Sequence, residues 1–162
     1  MEFYDSRPHL GQARGTLEQE LSRVERGWVS WTAFQSAPQV NASLLRNIER
    51  MILRDPESPD LSTIAELSGL SVAHLQESIR TAVSISERQG VAIKLSRSPV
   101  PDLIISNAPN GDAWIRVEPW IPRMQARNRP SFIVRESERN VLFRAIREAY
   151  EKLWDSLESG KR

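Results

Sequence analysis

Hydrophobic and polar positions follow helical and strand periods in turn along this chain. Glu2–Tyr4 is short and aromatic and reads as a first strand. Leu17, Leu21 and Val24 recur at helical spacing behind Thr16 and Gln19, a Thr-x-x-Gln capping box, so a helix is expected over Gly15–Val24. Gly27–Phe34 concentrates Trp28, Val29, Trp31, Thr32 and Phe34, the composition of a strand. A helix over Val40–Ile48, with Asn41 near its start, leads into a third strand, Ile48–Leu53, stopped by Asp55-Pro56. Asp60–Gly69 and Ser71–Gln89 read as helices. The second has Ser71 as N-cap, apolar residues at Leu75, Ile79, Val83 and Ile85 or Ala82, and Gly90 to end it.

Strands alternating with helices up to this point argue for a parallel, doubly wound arrangement. The second half changes character. Val91–Leu95, Leu103–Ser106, Ala113–Val117 and Ser131–Arg135 are short strands, and Pro109-Asn110-Gly111-Asp112 is a hairpin signal between two of them. The last element, Ser137–Leu157, is an amphipathic helix with Val141, Phe143, Ile146, Tyr150, Leu153, Trp154 and Leu157 mostly on one stripe. The expected fold is therefore a single α/β domain over residues 1–157, with a frayed tail at 158–162. Its mixed sheet, parallel in the N-terminal half and antiparallel in the C-terminal half, is flanked by helices. Residues 60–89 would join the two halves.

Composition narrows the chemistry. At 162 residues, 40% hydrophobic and 27% charged, the chain has globular values and room for a core. The absence of cysteine excludes disulfides, thiol catalysis and cysteine-held metals. Only His9 and His74 are present, which argues against a histidine-built metal site, and no cofactor is expected. The longest uncharged run, Gly27–Leu45, is too polar to span a membrane, and no signal segment opens the chain, so a cytoplasmic protein is expected. Net charge is +1, and 19 of the 22 basic residues are arginine, the side chain suited to bidentate phosphate or carboxylate contacts. A GC-rich genome produces the same bias.

Residues 60–82 carry the outline of a helix-turn-helix. Ala65 is small at a helix crossing, Gly69 suits the turn, and Leu70, Leu75 and Ile79 would fill the shared core. Its charge argues against reading DNA. Between Asp55 and Ile79 stand Asp55, Glu57, Asp60, Glu66 and Glu77 with no arginine or lysine, while DNA affinity rests on neutralised phosphates. The outward face offers Ala73, Gln76, Glu77 and Arg80. A helical crossover back to the sheet explains the segment better.

Several stretches together resemble a family. They are Phe3-Tyr4-Asp5-Ser6-Arg7, Gly27-Trp28-Val29-Ser30-Trp31-Thr32 and the run from Ile48 to Ser58. Further on come the run from Asp112 to Pro122, Arg129-Pro130-Ser131-Phe132, and a helix ending Tyr150-Glu151-Lys152-Leu153-Trp154. The chain resembles a small bacterial or phage-type domain related to one half of the phospholipase-D-like superfamily. The resemblance implies an α/β sandwich around a mixed sheet. It does not imply phosphodiesterase activity: the superfamily's His-x-Lys-x4-Asp motif is missing, because neither His9 nor His74 has a lysine two residues on.

No Walker A loop, Gly-x-Gly-x-x-Gly or Gly-x-Ser-x-Gly is present, and no residue is assigned a catalytic role. The candidate site is geometric. Ligands of open parallel sheets sit off the carboxyl ends of the strands. Three such ends would gather Asp5, Ser6 and Arg7, then Trp31 and Thr32, then Arg54, Asp55, Glu57 and Ser58. Taken singly, Asp55 and Ser58 are better explained as caps of the following turn and helix; their coincidence at one edge is what points to a site. A second candidate is the loop Pro119–Ser131, which holds Arg123, Arg127 and Arg129, follows Glu118, and contains no acid; Trp114 and Trp120 stand nearby. A solvated loop beside a core Trp114 is the alternative. Trp28 and Trp31 are expected on opposite faces of their strand.

The leading reading is a non-catalytic binding or sensing domain, expected as a homodimer. It would take a phosphate-bearing small molecule or nucleic acid at Arg7, Thr32, Arg54, Asp55 and Ser58, with the arginine loop as a lid. Two other classes stay open. One is a divergent carboxylate- or metal-dependent nuclease or phosphodiesterase using Asp55 and Glu118. The other is a helix-turn-helix regulator.

Overall fold

Seven strands form one mixed sheet in a computed structural model that describes residues 2–4, 24–31, 45–108, 112–124, 128–138 and 141–157. The elements are β1 (Glu2–Tyr4), β2 (Gly27–Ser30), β3 (Ile48–Arg54), α1 (Leu61–Ser68), α2 (Val72–Arg88), β4 (Ala92–Ser96), β5 (Asp102–Ser106), β6 (Trp114–Glu118), β7 (Ser131–Arg135) and α3 (Val141–Ser156). The order across the sheet is β1-β7-β6-β5-β2-β3-β4. β2, β3 and β4 run parallel, while β2–β5, β5–β6, β6–β7 and β1–β7 are antiparallel pairs. The mixed α/β sheet expected from the sequence is present.

Two placements differ from expectation. β4, assigned by pattern to the antiparallel half, pairs parallel with β3, Arg50 opposite Ala92 and Arg54 opposite Ser96. The α1–α2 connection is long enough to return the chain to the starting end of the sheet, which is the requirement for a parallel neighbour. The crossover therefore stays inside the parallel half. β1 does not join β2 either; it pairs with β7 at the far edge.

Alternation along the strands separates two cores. Val29, Met51, Leu53 and Ile104 face α1 and α2 and pack with Leu61, Ile64, Ala65, Leu75, Ile79 and Ala82. Trp28, Ile52, Leu103, Ile105, Ile115 and Val134 pack with Phe143 and Tyr150 of α3. Trp31 packs against the first cluster, so the two tryptophans part as their spacing requires. Coverage of both faces explains why Met51-Ile52-Leu53 is an unbroken apolar run. β2 and β5 approach so closely that a Cβ on Gly27 would stand 1.7 Å from the Ile105 carbonyl oxygen.

Helix ends follow local chemistry. The Ser71 hydroxyl accepts the His74 amide at 3.1 Å and caps α2. Gly69, at φ 69°, closes α1, with the Leu70 amide reaching back to the Ala65 carbonyl at 2.9 Å. The last turn of α3 is clamped to β3 and β4: Lys94 Nζ lies 4.8 Å and the Arg50 guanidinium 5.5 Å from the Trp154 ring centre. Lys94 also donates to the Trp154 carbonyl, a favourable cation at a helix C-terminus.

The helix expected over Val40–Ile48 does not extend through Leu45–Asn47, which turn into β3, the Asn47 carbonyl accepting the Gly27 amide at 3.1 Å. Residues 40–44, residues 15–23 of the helix expected over Gly15–Val24, the end of the strand expected to Phe34, the turn residues 109–111 and the tail 158–162 lie outside the described residues; Val24 itself is not helical. No helix among the described residues is long and apolar enough to cross a membrane.

Candidate functional site

Parallel pairing brings the carboxyl ends of β2, β3 and β4 together at one edge. Arg54 ends β3 on the face shared with Ile52, and its side chain is 0% exposed. Its Nη2 donates to Asp60 Oδ2, whereas Nε and Nη1 are buried with no hydrogen-bond partner among the described residues. The Ser58 hydroxyl donates to Asp60 Oδ1 at 2.5 Å. Burial works to raise the Asp60 pKa, but the bonds from Arg54 and Ser58 and the charge of Arg54 outweigh it, so the carboxyl titrates below its ordinary value.

Asp55 is committed elsewhere. Its Oδ1 accepts the Glu57 amide at 2.9 Å and its Oδ2 accepts Arg97 Nε at 3.1 Å. Its backbone amide donates to the Ser96 carbonyl, tying the turn to β4. The capping alternative thus describes Asp55, which organises the turn between β3 and α1.

The other sequence candidates divide. Glu118 ends β6 opposite Asp102 of β5, at the same end of the sheet but on the α1–α2 face. Arg129 is buried there, with Nη1 3.5 Å from Asp102 and 3.9 Å from Glu118, and Nε donating to the Met124 carbonyl at 3.1 Å. Arg116 adds a second cation 3.8 Å from Glu118. Burial lowers the Arg129 pKa, and the Asp102 charge offsets part of that loss. Expected on a lid, Arg129 instead anchors its loop to the sheet. Arg123 is exposed at φ 59°, its amide bonded to the Leu67 carbonyl at the end of α1. Arg7, Thr32 and Arg127 lie outside the described residues. β1 is five strand steps from β3. That is about 24 Å at roughly 4.8 Å per step; the carboxyl ends that stand side by side among the described residues are those of β2, β3 and β4.

Tyr150 approaches the edge from α3. Its hydroxyl donates to the Pro101 carbonyl at 3.0 Å, as does the Ser30 hydroxyl. Burial, chiefly, pushes its pKa up to about 12, so at neutral pH it is a donor and not a base. Among the described residues no group of three or more histidines or acids could hold a metal. The outward residues of the helix-turn-helix outline are partly occupied: Gln76 donates to the Pro56 carbonyl at 3.0 Å and Arg80 to Glu57 at 2.5 Å.

Comparison with known proteins gives no match: no family model, no curated protein and no solved structure is significantly similar to the chain.

Local pattern did not single out Asp60, Arg97, Asp102 or Arg116. Asp60 reads as an ordinary helix start, and its spacing of six residues from Arg54 belongs to no regular element. Arg97, Asp102 and Arg116 acquire partners only through strand register. The one available signal was an arginine ending an apolar strand, where a solvated side chain is hard to accommodate.

Proposed function

We propose that the chain is a non-catalytic binding domain for a phosphate-bearing ligand, with Arg54 as the anchor. The observation that carries this reading is a fully buried guanidinium at the carboxyl end of a parallel strand, with Nε and Nη1 lacking partners among the described residues. Buried donors without acceptors are costly, and an arginine fork matches two phosphate oxygens. The position is also where open parallel sheets take their ligands. Descent from a phospholipase-D-like domain belongs to the same proposal, since a mixed sheet between helices is what that kinship implies.

The nuclease reading has less in its support, because Asp55 and Glu118 are each engaged by arginine and lie in separate clusters. DNA reading through residues 60–82 would have to displace the contacts of Gln76 and Arg80. For a homodimer, the large exposed hydrophobic side chains among the described residues are Val141 and Leu142. Two side chains supply little of the roughly 800 Å² per partner of a stable interface.

A thermal-shift screen against inorganic phosphate, nucleoside phosphates and short oligonucleotides tests the proposal. At least one should raise the melting point of the wild type, and Arg54→Lys, which keeps the charge and removes the fork, should blunt the response. No response from any phosphate compound would end it.

A further inference from the structure

Arg54 and Asp60 are unequal partners. The side chain of Arg54 is 0% exposed and that of Asp60 is 41% exposed, so of the two it is the carboxylate that meets solvent. Asp60 also occupies the N-cap position of α1 without capping it: at φ −84° and ψ −1° its side chain accepts no hydrogen bond from the first turn. Aspartate at that position ordinarily accepts a first-turn amide. Its two oxygens instead take a guanidinium N–H from Arg54 and a hydroxyl from Ser58. These are the contacts a bound oxyanion would make, at the positive end of an eight-residue helix.

We infer that the Asp60 carboxylate holds the ligand's oxyanion subsite in the free protein, and that binding exchanges it for a phosphate of the ligand. The inference rests on Arg54 being the anchor. One phosphate oxygen takes the Nη2 bond that Asp60 gives up, and a second takes Nε or Nη1, which have no acceptor among the described residues. The exchange keeps the buried guanidinium paired throughout and frees an already half-exposed carboxylate into water. Asp60 is thus a built-in competitor, and affinity at this site is set by how readily it leaves.

The test compares wild type, Asp60→Asn and Asp60→Ser in thermal melts with increasing inorganic phosphate, against chloride at matched ionic strength. Asn removes the charge at nearly constant shape, and Ser leaves α1 a good N-cap residue. In chloride both variants should melt below wild type, because Arg54 loses its counter-charge. In phosphate both should gain more than wild type, with apparent affinity tighter by about tenfold, the order set by one charge-assisted hydrogen bond. Wild type responding to phosphate while both variants bind no tighter would overturn the competitor role and leave the anchor intact. If none of the three responds, the anchor falls and the competitor with it.

Discussion

Replacing Arg129 with methionine decides whether the loop from Pro119 to Pro130 is a fixed wall or a movable lid. The Arg129 side chain is 5% exposed, and its carboxylate neighbours Asp102 and Glu118 are 11% and 13% exposed. Methionine keeps the length and removes the charge that lies beside both carboxylates. Breaking a buried pair from one side costs about 3–5 kcal/mol. The lost bond to the Met124 carbonyl adds roughly 1 kcal/mol, so a loss of about 4–6 kcal/mol is expected. For a domain of this size that lowers the melting point by roughly 10–20 °C, at about 2–4 °C per kcal/mol. Urea unfolding followed by tryptophan fluorescence measures it, with Trp114 and Trp120 packed against the core on the same face. Adding Asp102→Asn to the variant should cost far less than the two single changes summed. A loss below about 1 kcal/mol, the value of an exposed pair, would refute the reasoning and return the loop to the role of a lid.

Gly27→Ala should fail to fold or lose more than the roughly 1–3 kcal/mol of ordinary overpacking, because the clash is with the Ile105 backbone; a circular-dichroism melt close to wild type would contradict the β2–β5 approach. Tyr150 has a folded pKa raised to about 12. Its contribution is whole below the ordinary value near 10, and stability falls as pH rises from there, by about 1.4 kcal/mol per pH unit up to the folded value. Denaturant midpoints from pH 9 to 12 should therefore drop more steeply in wild type than in Tyr150→Phe, and parallel curves would show that the phenol is not buried as described.

Much of the fold was legible because its signals are local. Met51-Ile52-Leu53 ahead of Asp55-Pro56 marks a strand and its end, and Gly69 followed by Ser71 marks a helix stop and the next start. Strand partners were not legible. β1 meets β7 across more than a hundred residues, and no local pattern carries that register. The parallel pairing of β4 was hidden for a related reason: a short strand looks the same in either direction. At the site, Arg54 was identified by its place at a strand end, but its burial and its pairing with Asp60 depend on how the turn folds back. Arg129 misled because an arginine between prolines in a loop suggests solvent. Asp102 and Glu118, supplied by two different strands, reverse that.

The central claim is that the Arg54 guanidinium receives a phosphate, and electron density at Arg54 in crystals grown in phosphate tests it most directly. The account predicts tetrahedral density at about 3 Å from at least two of the guanidinium nitrogens, absent from crystals grown in chloride. Finding all three nitrogens bonded to protein or water in both, with no anion at the strand end, would contradict it.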